Sequence, residues 1–273
     1  MEYKERIRRS FSRAASSYDR YAFIQKKVAA RLIDRMEGQT FRNILEIGCG
    51  TGNYTKMLRQ RFPGARITAV DFSAEMIAMA TLKMNLPAPT GGKSELKKIN
   101  GSGGVRLLVK DGEAFFSETP EKYDLITSNS TFQWFTDLKK GLEHYGALLV
   151  PGGTILFSVM GPETFSELQA VMEAVLPGEV KLAARYFVRF DDMASLLYKV
   201  FKNVKTSEAV LSREYDNLLH LLQTMKYTGV NIRRNGNNFL FTPALLKKVE
   251  TAYIKKSGSI KTSYQIFLCE GQR

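Results

Sequence analysis

Short apolar runs alternate with longer amphipathic stretches along most of this 273-residue chain. Residues 43–47, 66–71, 105–109, 123–128 and 154–159 are brief and nearly continuous in apolar character, which predicts strands buried on both faces. The stretches 55–60, 74–84, 137–149, 163–176 and 191–201 predict helices between and after them. In 163–176, Phe165, Leu168, Val171, Met172 and Val175 share one side. Residues 204–211 and 264–269 predict two more strands, the second alternating like an edge or antiparallel strand. At the N-terminus, apolar positions recur at three- and four-residue steps through 4–36, which predicts helix. Helices near 215–226 and 243–255 are joined by a polar turn, Arg233 to Asn238. Pro151-Gly152-Gly153 predicts a tight turn. Residues 86–104, with five glycines and two prolines, predict a surface loop longer than a typical connection.

Strands alternating with helices imply a doubly wound sheet. The expected α/β fold is Rossmann-like: seven strands, mostly parallel, with an N-terminal helical cap and a helical insertion between the last two strands. The expected boundaries are 1–37 for the cap, 38–211 with 263–273 for the core, and 212–262 for the insertion. The insertion is not expected to pair with the sheet, so it is placed with the cap over the active-site face.

The first strand runs straight into Glu46-Ile47-Gly48-Cys49-Gly50-Thr51-Gly52. A strand that passes through glycines into a helix brings backbone N–H groups and a positive helix end close to a ligand. The third glycine arrives one residue too early for the dinucleotide fingerprint. Acidic-x-Gly-x-Gly-x-Gly resembles motif I of class I S-adenosylmethionine (SAM) methyltransferases, and the late strand pair resembles their reversed pair. Asp71 ends the second strand 23 residues beyond Gly48. It can accept both ribose hydroxyls, or cap the next helix, although Ser73 is there to cap. Asp111-Gly112 after the third strand can present a carboxylate to the adenine amino group, or form a plain acidic turn. Asn129 follows the fourth strand, whose carboxyl end faces the ligand crevice of such sheets. Glu46, Gly48, Gly50, Gly52, Asp71, Phe72, Met76, Asp111, Gly112 and Asn129 are the expected cofactor-binding residues.

Composition narrows the setting. No run of 18 apolar residues suggests a membrane helix, and the charged N-terminal stretch lacks a signal core. Two cysteines fit a reducing cytosol better than a disulfide framework. Cytoplasmic location and a monomer are expected. With two histidines at unhelpful spacing, no metal site is expected. The net charge of +13 is uneven: residues 1–31 carry nine basic and three acidic residues, and residues 211–262 carry nine and three again. The two expected caps thus hold nearly all of the excess. That suits an acidic partner, or two ordinary solvated helices.

The acceptor is constrained by what is missing. No Asn-Pro-Pro-Tyr follows the fourth strand, and no Pro-Cys nucleophile is present. The combination Phe11-x-Arg13-Ala14-Ala15-x-x-Tyr18, Ser128-Asn129-x-x-x-Gln133-Trp134, Lys226-x-x-Gly229 and the closing Ser263 to Leu268 resembles the malonyl-acyl-carrier-protein O-methyltransferases of biotin synthesis, over almost the whole chain. The resemblance implies esterification of the free carboxylate of a malonyl thioester on an acidic acyl carrier protein. No catalytic base is expected, because that carboxylate is already ionised near neutral pH. Tyr18 and Lys226 are the expected carboxylate contacts, with Gln133 and Trp134 lining the pocket. Core packing for Tyr18 and Trp134 and simple solvation for Lys226 are the alternatives. A trans-aconitate-type carboxyl methyltransferase, a nucleic-acid methyltransferase and a non-enzymatic SAM-binding regulator are rival functions; too few aromatics lie among the basic residues to favour nucleic acid.

Overall fold

In the computed structural model the described residues are 2–87, 103–115, 120–178, 180–229, 232–234, 237–238 and 241–273. The strands in chain order are β1 (Asn43–Ile47), β2 (Arg66–Asp71), β3 (Gly104–Val109), β4 (Tyr123–Asn129), β5 (Leu149–Met160), β6 (Val180–Leu182), β7 (Lys202–Tyr215), β8 (Ile232–Arg234), β9 (Asn237–Asn238) and β10 (Ile260–Gln272). The helices are α1 (Glu2–Ala14), α2 (Tyr18–Tyr21), α3 (Phe23–Asp34), α4 (Asn53–Arg61), α5 (Ala74–Lys83), α6 (Leu138–Leu148), α7 (Ser166–Val175), α8 (Phe190–Val200), α9 (Leu218–Tyr227) and α10 (Pro243–Ser257).

Seven strands make one open sheet in the order β3-β2-β1-β4-β5-β10-β7. The first five pair in parallel, and β10 runs antiparallel between β5 and β7. The near-continuous apolar character of β1 has a direct cause: its alternating side chains enter two cores. Ile44 belongs to the core shared with α3 and α4, while Leu45 and Ile47 belong to the one shared with α6 and α8. Edge strand β7 alternates between exposed and partly buried positions instead. The order of strands reverses between β1 and β4, so the crevice at their carboxyl ends is where a ligand binds in such sheets.

Four details differ from the sequence expectations. Residues 4–36 form three helices, broken around Ser16-Ser17 and at Ala22; serines compete with the helical backbone for hydrogen bonds, and the break turns Tyr18 and Asp19 toward the glycine loop. Pro151-Gly152-Gly153 lies inside β5, where the register with β4 shifts between Tyr123 and Leu125. The last two sheet strands are much longer than expected, and pairing of Ser212 to Tyr215 with Ile260 to Ser263 carries the ladder into the segment assigned to the insertion. The remainder of that segment is not purely helical: β8 and β9 form a hairpin that pairs with β6 in a second, three-stranded sheet. Three-residue strands carry too little period to be read from sequence. Most of the expected loop 86–104, namely 88–102, lies outside the described residues, as does the centre of the expected polar turn.

Candidate cofactor and acceptor site

A cleft of about 710 Å³ lies over the carboxyl ends of β1, β2 and β4. The three motif glycines divide by what a side chain there would meet. All three have left-handed backbone, with φ of +72°, +54° and +79° at Gly48, Gly50 and Gly52. A Cβ at Gly48 would overlap the Thr131 side chain, and one at Gly52 would lie 3.0 Å from the Ala80 Cβ. A Cβ at Gly50 would meet nothing within 4 Å. Gly50 is thus the glycine whose missing side chain leaves open space in the cleft; the other two admit neighbouring protein.

Two carboxylates dominate the electrostatics. Asp71 accepts hydrogen bonds from the Gly50 N–H at 3.0 Å and the Ser73 N–H at 2.9 Å. Burial pushes its carboxyl up to about 6 against the pull of those two bonds. Ser73 caps α5 through the Met76 N–H, leaving Asp71 free of that task. Glu46 is 1 % exposed, and its Oε2 has no hydrogen-bond partner among the described residues. Burial pushes its carboxyl up to about 8. It lines a second cavity of about 350 Å³ that shares Tyr18, Gly48, Gly50 and Asn129 with the first, and there Lys26 adds a cation.

The N-terminal helices close this face through polar contacts of Lys4, Ser12 and Asp19. Lys4 on α1 pairs with Asp111 at 2.6 Å and Glu113 at 2.5 Å. Burial alone would pull the Lys4 ammonium down, but the two carboxylates hold it above its ordinary value. Ser12 meets Ser73 at 3.0 Å and Glu75 at 2.5 Å. Asp19 on α2 accepts from Thr51 and Asn53 of the glycine loop at 2.6 and 2.8 Å and pairs with Lys83 on α5 at 2.6 Å. Phe11 is the apolar centre of the cap. Its ring lies 6.0 Å from Trp134 and 6.3 Å from both Tyr18 and Phe72. Gly229, with φ of +89°, lets the segment after α9 press directly onto that ring. Tyr21 and Tyr227 stack at 4.7 Å, joining α2 to α9.

Of the residues expected from sequence, Tyr18, Gly48, Gly50, Asp71, Phe72, Met76, Asp111, Gly112, Asn129 and Trp134 line the larger cleft. Glu46 lines only the adjoining cavity, and Gly52 packs behind on α5. Gln133 is not brought to the cleft wall; its amide donates to the Ser130 carbonyl at 2.7 Å and supports Ser130 in left-handed backbone at φ +58°. Lys226 is not brought there either. It is exposed in the last turn of α9, with its ammonium 5.5 Å from the Tyr227 ring centre. Lys4, Ile7 and Phe135 line the cleft without having been expected, and Asp19 grips the loop from outside it. Their roles depend on where the cap folds back, which no local spacing encodes.

The chain is similar to known methyltransferases in sequence and in fold. Residues 18–243 match the family model described as a methyltransferase domain. A malonyl-[acyl-carrier protein] O-methyltransferase of Ilyobacter polytropus is 33 % identical over 256 residues, covering 93 % of this chain and 88 % of the relative. One of Bacillus anthracis is 30 % identical, covering 97 % and 96 %. The chain belongs to the malonyl-[acyl-carrier protein] O-methyltransferase family. Among solved structures, the YcgJ protein of Bacillus subtilis superposes with a TM-score of 0.57 at 14 % identity, covering 90 % of this chain and 98 % of the other. A SAM-dependent methyltransferase of Thermotoga maritima gives 0.54 at 15 % identity, with coverage of 97 % and 99 %. Both share the class I methyltransferase fold.

The cofactor is SAM, and the residues present fit it: Gly50 leaves open space, and an unpartnered buried carboxylate oxygen waits beside it. The two raised carboxyls give a signed pH expectation. A ligand of net positive charge favours their ionised forms, so binding should release protons and affinity should rise with pH through the range from about 6 to about 8. The apo-protein should behave oppositely. A carboxyl raised by folding contributes stability below its unfolded value and loses that contribution as pH rises through its folded value. Calorimetry in buffers of different ionisation enthalpy measures the proton release; a flat affinity from pH 6 to 9 would contradict the assignment.

Proposed function

We propose that the enzyme transfers the SAM methyl group to the free carboxylate of a malonyl thioester carried on acyl carrier protein, an early step of biotin synthesis. The observation that carries this reading is full-length similarity to relatives bearing that name, joined to a cleft whose wall offers a tyrosine and a tryptophan beside the cofactor loop. SAM supplies an electrophilic sulfonium methyl. The acceptor oxygen is already anionic, so the protein's work is alignment and exclusion of water. Phe11, Trp134 and the α1 helix provide the dry wall. The Tyr18 hydroxyl makes no hydrogen bond among the described residues, and burial raises its pKa, so it stays a neutral donor for the second carboxylate oxygen. Asp71 is assigned to the ribose, Asp111 to the adenine edge, and Lys26 with Glu46 to the amino-acid end of the cofactor.

Residues 1–37 and the helices α9 and α10 serve in this reading as two caps over the face. Their charge is less free than the sequence suggests, since Arg8 and Arg9 both pair with Glu5. Malonyl-carrier protein should react far faster than free malonate, and acetyl-carrier protein, which lacks a free carboxylate, should not react. Equal rates on malonate and carrier substrate would favour the small-acid alternative.

A further inference from the structure

Tyr18 owes its place at the cleft to a helix that cannot hold itself. α2 is four residues long, and none of them is buried. A single helical turn is not stable alone, and without a buried face its orientation is set by contacts at its edges. Tyr18 meets Phe11, Tyr21 stacks on Tyr227, and Asp19 is the polar anchor. The Asp19 carbonyl accepts from the Lys26 ammonium at 2.7 Å, which ties α2 to the start of α3.

The Asp19 carboxylate reaches further, into the cofactor loop. One oxygen accepts from the Thr51 hydroxyl at 2.6 Å and the Asn53 amide at 2.8 Å. The other pairs with Lys83 at the end of α5, at 2.6 Å. Lys83 closes the ring by donating to the Asn53 Oδ1 at 2.5 Å and the Thr51 Oγ1 at 3.2 Å. Burial alone would push the Asp19 carboxyl up, but Lys83, Thr51 and Asn53 hold it below its ordinary value. Thr51 and Asn53 line the smaller cavity together with Tyr18 and Lys26. The Asp19 side chain is 40 % exposed, and ion pairs that open to water contribute little to stability. What the ring supplies is geometry: it fixes the glycine loop and α2 relative to one another.

We infer that Asp19 is a positioning residue that couples the cofactor to the acceptor: by gripping Thr51 and Asn53 while it anchors α2, it sets Tyr18 against the bound cofactor, so that the two substrates bind cooperatively. The inference rests on the assignment of Tyr18 to the malonyl carboxylate and adds the link between that residue and the glycine loop. A cofactor that orders the loop orders α2 through Asp19, and the acceptor then meets a Tyr18 already in place. By linkage the acceptor must tighten the cofactor by the same factor.

The test uses the full-length enzyme and its Asp19→Ala and Asp19→Asn variants. Calorimetry gives the dissociation constant of S-adenosylhomocysteine without and with saturating malonyl N-acetylcysteamine thioester; with this product in place of SAM no methyl is transferred. In the wild type the thioester should tighten S-adenosylhomocysteine by about fivefold or more. Asp19→Ala should abolish that gain and lower kcat on the thioester by roughly tenfold or more through lost alignment. Its melting temperature should stay close to that of the wild type. A purely structural role would weaken S-adenosylhomocysteine equally with and without the thioester and leave the gain intact. Asp19→Asn keeps an oxygen facing Thr51 and Asn53, so it should retain part of the gain; it is also the variant to read if Asp19→Ala loses cooperative melting. An undiminished gain in every variant that folds overturns the coupling role, as does a wild-type enzyme in which the thioester leaves S-adenosylhomocysteine affinity unchanged. A wild-type enzyme that methylates no malonyl thioester would instead refute the acceptor reading itself.

Discussion

Gly50→Val is expected to abolish SAM binding in a protein that still folds. The backbone at Gly50 is left-handed, at φ +54°, where a β-branched residue costs on the order of 1–3 kcal/mol. A Cβ there meets no protein atom within 4 Å, so no packing penalty is added. A domain with roughly 5–15 kcal/mol of stability survives that loss. The cleft does not survive it, because the new methyl groups stand where the Gly50 backbone approaches the ligand and disturb the N–H that Asp71 accepts from. Calorimetry should find no SAM binding, while the melting curve stays cooperative. Undiminished affinity in folded Gly50→Val would refute the placement of the cofactor. Gly48→Val is the contrasting variant: its side chain would collide with Thr131, so it should unfold the loop rather than merely block it.

Gly229→Val is expected to damage stability and cofactor binding together, although Gly229 lies far along the chain from the glycine loop. Strain at φ +89° and overlap with the Phe11 ring each cost on the order of 1–3 kcal/mol. Phe11 cannot yield without disturbing Tyr18, Phe72 and Trp134. The melting temperature should fall and SAM affinity should weaken. Adding Phe11→Ala removes the overlap, so the double variant should be less impaired than the sum of the two single ones. Strict additivity would show that the two caps do not meet as described.

These two glycines also mark how far the sequence could be read. The loop from Glu46 to Gly52 was legible because its chemistry is local: strand, glycines and helix follow one another, and Asp71 and Asp111 end neighbouring strands of the same sheet. Asp71, Phe72, Met76 and Asp111 accordingly line one cleft. The sequence could not show that Gly48 and Gly52 serve protein packing while Gly50 faces open space. Lys4 and Asp19 escaped notice because their partners are distant: Lys4 meets Asp111, and Asp19 meets Thr51, Asn53 and Lys83. Lys226 shows the reverse. Its position before Gly229 was informative, but the part the fold explains is the glycine, packed on Phe11, while the lysine is exposed.

Mass spectrometry of malonyl-acyl-carrier protein incubated with the enzyme and SAM tests the acceptor most directly. The carrier should gain the mass of one CH2, a methyl group replacing the carboxyl proton, and the gain should be lost with acetyl-carrier protein, with Gly50→Val enzyme, or without SAM. A carrier that returns unmodified, from an enzyme shown by calorimetry to bind SAM, would contradict methylation of the malonyl carboxylate.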